Sequence, residues 1–460
     1  MRRYFLVFLT DLRQSYWFVP SVMTVVALIF GLLVPYIDAR LGNGWMDGVP
    51  FLIEMQVDGA RTLLATIAGS VLGVAGVSFS IAIAAVSFAS ANYGPRLIGN
   101  FMRDRGNQFT LGTFVATFVY CMVVLRAVHP ALGSGESEIV AFVPQIALLV
   151  ALGLMLSSIG VLIFFIHHVP ESINIMNIAA RIGRELRDAV HTLLPDENED
   201  ASDDGGESPV ETERDPEKAR VFRFESAGYL LRLDLAHLNR MAEKHGLTVE
   251  VVHRPGSFLT VADDVLRIWP EEAVEDDVLD DLAGGLAHGS ERTGDQDVLF
   301  LVDQLVEIAA RALSPGINDP FTANTCLNWL RVGLLEFARV RPEGEEELPE
   351  NERVVVRPVT FEGLMSAAFD QARQYIATDR NATLHAMGTL AAIGAALEPG
   401  RRRAIVLRHL EMFGRAARLE ADEAYVEECE RRLKAARRAI LRGDKLPPFE
   451  IAPHPRKRMA

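Results

Sequence analysis

Four long stretches without a charged side chain dominate the first 170 residues of this 460-residue chain. They cover residues 17–37, 62–95, 106–125 and 139–166. A helix needs about 20 apolar residues to cross the hydrocarbon core of a bilayer. A surface helix of a water-soluble protein would instead carry a charged or polar face. The sequence therefore predicts a mainly α-helical membrane protein that begins with four transmembrane helices.

The arginines beside these stretches predict how the chain is oriented. Short cytoplasmic loops of membrane proteins carry an excess of Lys and Arg. Nine arginines flank the ends that would face one side of the membrane, against three on the other side. We therefore expect a multi-pass protein with both termini in the cytoplasm. The nine are Arg2, Arg3, Arg13, Arg96, Arg103, Arg105, Arg181, Arg184 and Arg187, and the three are Arg40, Arg61 and Arg126.

The negative charge of the chain is concentrated in one segment. The net charge is −15 at pH 7, and residues 195–218 contribute eleven acidic side chains against two basic ones. This segment has no apolar periodicity and predicts a disordered acidic linker. The rest of the chain shows no basic face, which argues against a nucleic-acid partner. The spacing of Cys121, Cys326 and Cys429 predicts neither a disulfide framework nor a metal centre, and we expect no cofactor.

The second apolar stretch carries its small residues on one face. They recur three or four positions apart, which is the spacing of one side of an α-helix. Small residues let helices approach closely in lipid, so packing against a neighbouring span explains the pattern. The alternative is that this face lines a pore or forms an oligomer contact. The small residues are Gly69, Gly73, Gly76, Ser80, Ala84, Ser87 and Ala91.

The four stretches contain no Asp, Glu, Lys or Arg, which lowers the expectation of an ion-coupled carrier but is compatible with a channel. Two histidines, His167 and His168, follow the fourth apolar stretch. Neighbouring residues of a helix point about 100° apart, so the two side chains do not readily share one metal ion. Interfacial histidines at the exit of a membrane helix are the simpler interpretation, and a pH-responsive gate is the alternative.

Beyond residue 170 the pattern is that of a water-soluble protein. A transmembrane domain over residues 1–170 is followed by segments that we divide by their periodicity and charge. They are a membrane-proximal helix at 171–194, the acidic linker at 195–218, a small cytosolic α+β unit at 219–270, a cytosolic helical domain at 271–445 and a basic tail at 446–460.

The sequence predicts different secondary-structure elements in the α+β unit and in the helical domain. In the first, Arg254-Pro255-Gly256 is expected to form a turn between two strands. Strands are expected at 221–224, 249–252, 257–261 and 265–269, with one helix at 229–244 that ends at Gly246. Only helices are expected afterwards, at 277–288, 296–313, 321–340, 361–378, 380–397, 401–419 and 421–442.

One polar hairpin interrupts the helical domain. A helix stops at a Ser-Pro-Gly sequence, and the next helix begins with an Asp as N-cap and a Pro at its first position. An intervening Asn can brace the turn. Turn chemistry explains the polarity of this segment, and a ligand site is the alternative. The residues are Ser314, Pro315, Gly316, Asn318, Asp319 and Pro320.

Sequence motifs of common enzyme classes are missing. The chain has no phosphate-binding loop, dinucleotide fingerprint, nucleophile elbow or metalloprotease motif. An enzymatic activity is therefore the least favoured of the functions considered.

Three stretches resemble the DUF2254 family, a family of uncharacterised bacterial membrane proteins. The first runs from residues 77–82 to 93–96 and 100–105, and the second is 254–256 with its flanking strands. The third combines Arg292-Thr293, Gln296-Asp297 and residues 314–323, which are similar to the family's signature. The chain departs from the family pattern at Ala262-Asp263-Asp264, where a glycine turn is more usual. The resemblance implies a bacterial inner-membrane location, and it implies no activity.

Two classes of function fit these patterns. The first is an oligomeric channel or passive transport protein that is gated by its cytosolic domain. The second is a membrane-anchored sensor or scaffold whose cytosolic helices bind a partner or metabolite. Both require the lipid bilayer as a partner, the first also requires a homo-oligomer, and the sequence identifies no small-molecule or protein ligand.

Overall fold

A computed structural model of the protein contains two compact units, Met1–Asn177 and Ile178–Ala460. Most of the acidic segment and the whole basic tail lie outside the residues that the structure describes. The described residues are 17–41, 55–94, 104–130, 141–192, 215–341, 343, 353–419 and 422–444.

Among its described residues, the N-terminal unit contains four helices that are long and apolar enough to cross a membrane. They are α1 (Phe18–Leu41), α2 (Val57–Tyr93), α3 (Arg105–Ala127) and α4 (Gln145–Ser172). This confirms the four helices expected from the sequence. The 37 residues of α2 would span about 55 Å at 1.5 Å per residue, whereas the hydrocarbon core is about 30 Å thick. Helix α2 must therefore tilt or extend beyond the hydrocarbon core.

Helix α3 is the centre of this unit, and the other three helices pack around it. Two glycines bring α1 and α3 together. A Cβ atom at Gly31 would lie 3.0 Å from Cβ of Val123, and one at Gly112 would lie 2.5 Å from Sδ of Met23. Larger side chains at either position would separate the two helices. On the other side of α3, the hydroxyls of Thr117 and Ser158 hydrogen-bond at 3.1 Å.

The helices extend past the uncharged stretches and take charged residues into their end turns. Helix α1 continues to Leu41 and so includes Asp38 and Arg40. Helix α1 is therefore longer than the uncharged stretch that predicted it, and the charged residues lie in the added turn. Asp38 is only 3% exposed, and its carboxylate accepts hydrogen bonds from the backbone N–H groups of Ile146 (2.8 Å) and Ala147 (3.2 Å). These bonds cap the N-terminus of α4, which stabilises the extra turn of α1.

The second unit begins within α5 (Ile175–Thr192). The predicted helix at 171–194 therefore starts later, because α4 ends at Ser172 and a short turn follows. In the second unit α5 packs on α9 (Pro320–Val340) at two glycines. A Cβ atom at Gly183 would collide with the ring of Trp329, and one at Gly333 would collide with Leu186.

The described part of the second unit has two small sheets. One has the strand order β1-β5-β3-β7, in which the neighbouring strands are antiparallel except for the parallel pair β3 and β7. The other is antiparallel with the order β4-β2-β6. The strands are β1 (Arg220–Phe222), β2 (Gly228–Leu233), β3 (Thr248–Val251), β4 (Phe258–Leu259), β5 (Leu266–Trp269), β6 (Leu286–Gly289) and β7 (Val354–Val356).

Three expectations about these strands are wrong. The start of the predicted helix at 229–244 is strand β2, and α6 (Leu235–His245) begins only after Asp234, whose side chain caps it. The predicted helix at 277–288 divides into α7 (Asp276–Ala283) and β6. The segment that forms β2 has apolar residues three positions apart, a spacing that also fits one face of a helix. It forms a strand because, at the centre of its sheet, it hydrogen-bonds to two neighbouring strands.

Arg254-Pro255-Gly256 forms the expected turn between two strands. Strands β3 and β4 on either side of it do not pair with each other, because β3 pairs with β5 and β7, whereas β4 pairs with β2. The turn therefore carries the chain from one sheet to the other. The third error is that strands β6 and β7 lie in the part of the chain that was expected to contain only helices.

A helical bundle follows the sheets. The helix predicted at 361–378 is broken into α10 and α11, and the other helices agree with the expected positions. Helix α12 packs against α9, α13 and α14 and is largely buried. The bundle contains α8 (Val298–Ala312), α9, α10 (Phe361–Phe369), α11 (Arg373–Ile376), α12 (Arg380–Ala396), α13 (Arg401–Ala417) and α14 (Glu423–Arg442).

Candidate functional site

The small-residue stripe of α2 lies on the surface of the N-terminal unit. All seven of its residues, from Gly69 to Ala91, are exposed. Cβ atoms built at Gly69, Gly73 and Gly76 would meet no atom within 4 Å among the described residues. Within the described part of one chain, the stripe therefore packs on no other span. Contact with a second copy, with lipid or with water stays a prediction.

The opposite face of α2 makes the contacts inside the unit. Its buried residues are small or aliphatic and repeat with the same helical spacing as the stripe, half a turn away. They include Ala60, Leu64, Ile67, Ala68, Val71, Ala75, Ala82, Ala85 and Ala89. The stripe is flanked on both sides by large, exposed apolar residues. These are Leu72, Phe79 and Ile83 along one edge, and Val77, Ile81 and Phe88 along the other.

An open groove of about 560 Å³ lies between α1, α2 and α3. Its lining is almost entirely apolar and includes Phe79 and Leu111, with the hydroxyls of Ser21 and Thr24 as polar exceptions. Gly76, a member of the stripe, forms part of one wall. The groove thus adjoins the stripe, and its apolar lining suits a hydrocarbon chain better than a polar ligand.

The two histidines at the end of α4 have different surroundings. Nε2 of His168 lies 3.0 Å from Oδ1 and 3.1 Å from Oδ2 of Asp104, and its ring stacks on Phe164. The side chain of His167 is 80% exposed and faces Glu171 at 3.3 Å. The structure therefore does not bring the two histidines to a common partner. A role of either histidine in pH sensing stays a prediction.

Asp104 holds two helices at this end of the unit. Its carboxylate caps α3 by accepting hydrogen bonds from the backbone N–H groups of Gly106 and Asn107. A Cβ atom at Gly106 would lie only 2.7 Å from Nε2 of His168. The close approach of His168 to this cap therefore depends on the glycine. The sequence shows Asp104 as a helix start but gives no sign of its partner.

Two buried polar groups in this unit were missed by the sequence reasoning. Asn107 is 2% exposed, and neither its side-chain oxygen nor its nitrogen has a hydrogen-bond partner in the described residues. The same is true of Oδ1 of Asp38, although its other oxygen caps α4. Unpartnered buried polar groups are costly and are uncommon in native structures. Both residues were overlooked because each lies at the boundary of an apolar stretch.

Two of the family-like stretches meet in the second unit. A Cβ atom at Gly256 would collide with the carboxylate of Asp297, so only a glycine fits there. The guanidinium of Arg292 binds Asp297 (2.7 Å) and Asp303 (2.7 Å). The side-chain amide of Gln296 hydrogen-bonds both the backbone N–H and C=O of Leu233. These contacts fasten the start of α8 to strand β2 and the 254–256 turn.

The charges of Arg292, Asp297 and Asp303 partly neutralise one another in this cluster. Burial raises the pKa of Asp297, although the neighbouring Arg292 acts in the opposite direction. The same carboxylate caps α8 by accepting a hydrogen bond from the backbone N–H of Phe300. Every group thus has a structural role. Among the described residues, no group of three or more His, Cys, Asp or Glu side chains could hold a metal ion.

The hairpin at 314–320 is at the far end of α8 from this cluster. Asp319 caps α9 by accepting hydrogen bonds from the N–H groups of Phe321 and Thr322, and Pro320 is the first helical residue. Asn318 adopts the left-handed conformation, with φ of 50°. At 15 residues, α8 separates the two sites by about 22 Å. The family-like residues of the second unit therefore do not form one site.

At Ala262-Asp263-Asp264, where the chain departs from the family pattern, contacts of the two aspartates stabilise the turn. Asp263 accepts hydrogen bonds from the backbone N–H and the hydroxyl of Thr260, each at 2.7 Å. Asp264 binds Arg223 and Arg267. The hydrogen bonds from Thr260 keep the pKa of Asp263 below its usual value. An Asp-closed turn thus takes the place of a glycine turn.

The comparisons with known proteins agree with the resemblance. The chain is 27% identical over 420 residues to an uncharacterized protein of Mycobacterium bovis and to one of Mycobacterium tuberculosis. Each alignment covers 90% of this chain and 78% of the relative. No solved structure matches the chain. The model of the predicted membrane protein family DUF2254 matches residues 13–392. The chain therefore belongs to the DUF2254 family of predicted membrane proteins.

Proposed function

We propose that the protein is a passive channel of the bacterial inner membrane, formed by several copies whose α2 helices surround a central path. The observation that supports this proposal is the position of the small-residue stripe. All seven small residues are exposed, and they lie opposite the face that packs inside the unit. Two of them, Ser80 and Ser87, add hydroxyls to an otherwise narrow and smooth surface.

The residues beside the stripe support a ring of helices. A helix that faces only lipid has no need of small residues at its centre, because bulky apolar side chains suit the acyl chains. In a ring, the flanking residues, such as Phe79 and Phe88, would pack against the neighbouring copies. The small residues between them would face the axis and leave it open to ions or small solutes.

The proposed gate is the C-terminal unit, which we place in the cytoplasm because of the arginine distribution. The chain passes from α4 to α5 through a turn of two residues, Ile173 and Asn174. Helix α5 is then held on α9 by the tight contact of Gly183 with Trp329. A movement of α9 would therefore displace α5 and, through this short turn, the end of α4.

Conductance of the purified protein in planar bilayers tests the proposal. The wild-type protein should conduct, and Gly73→Leu should lower the single-channel conductance because it narrows the central path. Val77→Leu, on a flank of the same helix, is the matched control and should conduct like the wild type. A protein that is monomeric by light scattering and does not conduct would contradict the proposal. That result would favour the membrane-anchored sensor or scaffold instead.

A further inference from the structure

The hairpin at 314–320 and the residue that follows it expose two large apolar side chains. Ile317, in the turn, is 45% exposed, and Phe321, in the first turn of α9, is 73% exposed. Pro315 and Gly316, beside Ile317, are exposed as well. An exposed patch of apolar side chains marks a surface that contacts a protein or a membrane.

The backbone of the hairpin forms its hydrogen bonds internally. The N–H groups of Ile317 and Asn318 bind the C=O of Ser314 at 3.0 and 2.9 Å. The N–H of Asp319 binds the C=O of Ala312 at 2.7 Å, and the Asp319 carboxylate is held in the cap of α9. A segment near lipid must satisfy its own backbone groups, because few water molecules are there to do so. The apolar tip of the hairpin can therefore leave water without breaking these bonds.

Three contacts show how α9 lies beside α5. Each joins a residue of α5 to a residue of α9, and the offset in sequence is nearly the same in all three. The two helices therefore run side by side in the same direction. The pairs are Gly183 with Trp329, Leu186 with Gly333, and His191 with Glu336.

The same register places the start of α9 level with the start of α5. Phe321 lies eight residues before Trp329, and α5 begins eight residues before Gly183. Eight residues correspond to about 12 Å of helix in both cases. The exposed apolar side chains are therefore held at the N-terminal end of α5.

This end of α5 is the one at which the chain leaves the membrane. Helix α4 is long and apolar enough to cross a bilayer, and only Ile173 and Asn174 separate it from α5. So short a link cannot carry the start of α5 far from the bilayer. Packed helices lie about 8–10 Å apart. The hairpin, which is level with the start of α5, is therefore within reach of the lipid surface.

We propose that the hairpin anchors the second unit to the membrane, with Ile317 and Phe321 inserted into the headgroup region of the bilayer that α4 crosses. Lipid is the occupant because the contacts between α5 and α9 hold these side chains near the bilayer surface. Insertion removes the apolar area of both side chains from water. The Asp319 carboxylate does not oppose insertion, since it binds the N–H groups of α9. The proposal requires only that α4 spans the membrane, and it stands whether or not the protein conducts.

Fluorescence quenching in the full-length protein tests the anchor. The three native cysteines are replaced, and a fluorescent label is attached at Ile317→Cys in nanodiscs of phosphatidylcholine. Nitroxide-labelled lipid should quench this label several-fold more strongly than iodide in the water does. The matched control is the same label at Arg339→Cys, an exposed position of α9 that is about 27 Å beyond Phe321. The control should be quenched more strongly by iodide than by the lipid.

A second variant tests whether the apolar side chains cause the insertion. Phe321→Ser should weaken the lipid quenching of the label at residue 317, because the inserted apolar area is smaller. Leu419→Ser removes an exposed apolar side chain just after α13 and should leave the quenching unchanged. Both side chains are largely exposed, so both variants should melt like the wild type.

Two results would overturn the proposal. A label at residue 317 that iodide quenches and nitroxide lipid does not would show that the hairpin lies in water. A label that neither reagent quenches would show that protein, rather than lipid, covers the hairpin.

Discussion

The carboxylate of Asp104 lies 3.0 Å from Nε2 of His168 and joins the first turn of α3 to the last turns of α4. Both side chains are largely buried, with 14% and 25% of their surfaces exposed. The same carboxylate caps α3. One acidic group thus holds two membrane helices together at the end where the chain turns towards α5.

This relationship predicts a graded loss of stability. Asp104→Asn keeps a good N-cap but removes the charge opposite His168, whereas Asp104→Ala removes both. We expect Asp104→Ala to lower the free energy of unfolding by about 1–2 kcal/mol, and Asp104→Asn by less. Melting temperatures of the two variants in detergent measure this order. Equal melting temperatures would show that the cap contributes nothing.

The exposed stripe predicts that a large side chain at one of its glycines does not destabilise the monomer. A large side chain at a glycine that packs against a neighbouring helix should destabilise it. Gly76→Leu should leave the stability of the monomer unchanged, since an added Cβ meets no described atom within 4 Å. Gly112→Leu drives a side chain into Met23 and the backbone of Pro20, and such overpacking costs about 1–3 kcal/mol. Thermal melts of the monomer in detergent compare the two.

Thiol labelling shows what the stripe faces in the membrane. The three native cysteines are buried and free, and they are replaced first to give a clean background. If α2 lines a water-filled path, Ser80→Cys in liposomes should react with a charged, membrane-impermeant reagent. Ile83→Cys, on the flank, is the control and should react slowly. Equal protection of both positions would place the stripe in lipid or in a dry helix contact.

Two glycines with positive φ allow the cost of backbone strain to be distinguished from the cost of a steric clash. Gly246 has φ of 64° with no atom within 4 Å of an added Cβ, whereas Gly256 has φ of 90° and faces Asp297. Gly246→Ala should lower the free energy of unfolding by about 1–2 kcal/mol, the strain of a left-handed residue. Gly256→Ala should cost more, because it also breaks the packing of Asp297. Denaturant unfolding of both variants measures the difference.

The buried imidazole of His409 predicts a pH dependence. Burial lowers its pKa to about 4, although Asp370 at 3.6 Å acts in the opposite direction. The unfolded chain would bind a proton near pH 6.5 and the folded chain only near 4, so stability falls as the pH drops through this interval. The full loss is on the order of 3 kcal/mol. Melting temperatures at several pH values should show a shallower decline for His409→Gln, and parallel curves would contradict this assignment.

Local signals in the sequence were sufficient for the membrane helices and for several helix ends. An uncharged stretch of membrane length has few alternatives, because lipid offers no partner for an unpaired backbone group. The Asp319-Pro320 start of α9 was equally predictable, since an N-cap is made by residues two or three positions apart. Strand β2 was not, because its leucines fit a helical as well as an extended pattern, and only its neighbours β4 and β6 decide between them.

The sequence by itself determined that α2 has a face of small residues, and only the tertiary structure decided that this face points away from α3. A helical period is a property of one segment, whereas the direction of a face depends on which partner buries the opposite side. The same reason hides the contact between Asp104 and His168, which lie far apart in the chain. Nothing within a few residues of either one indicates the other, because packing alone brings α3 and α4 together.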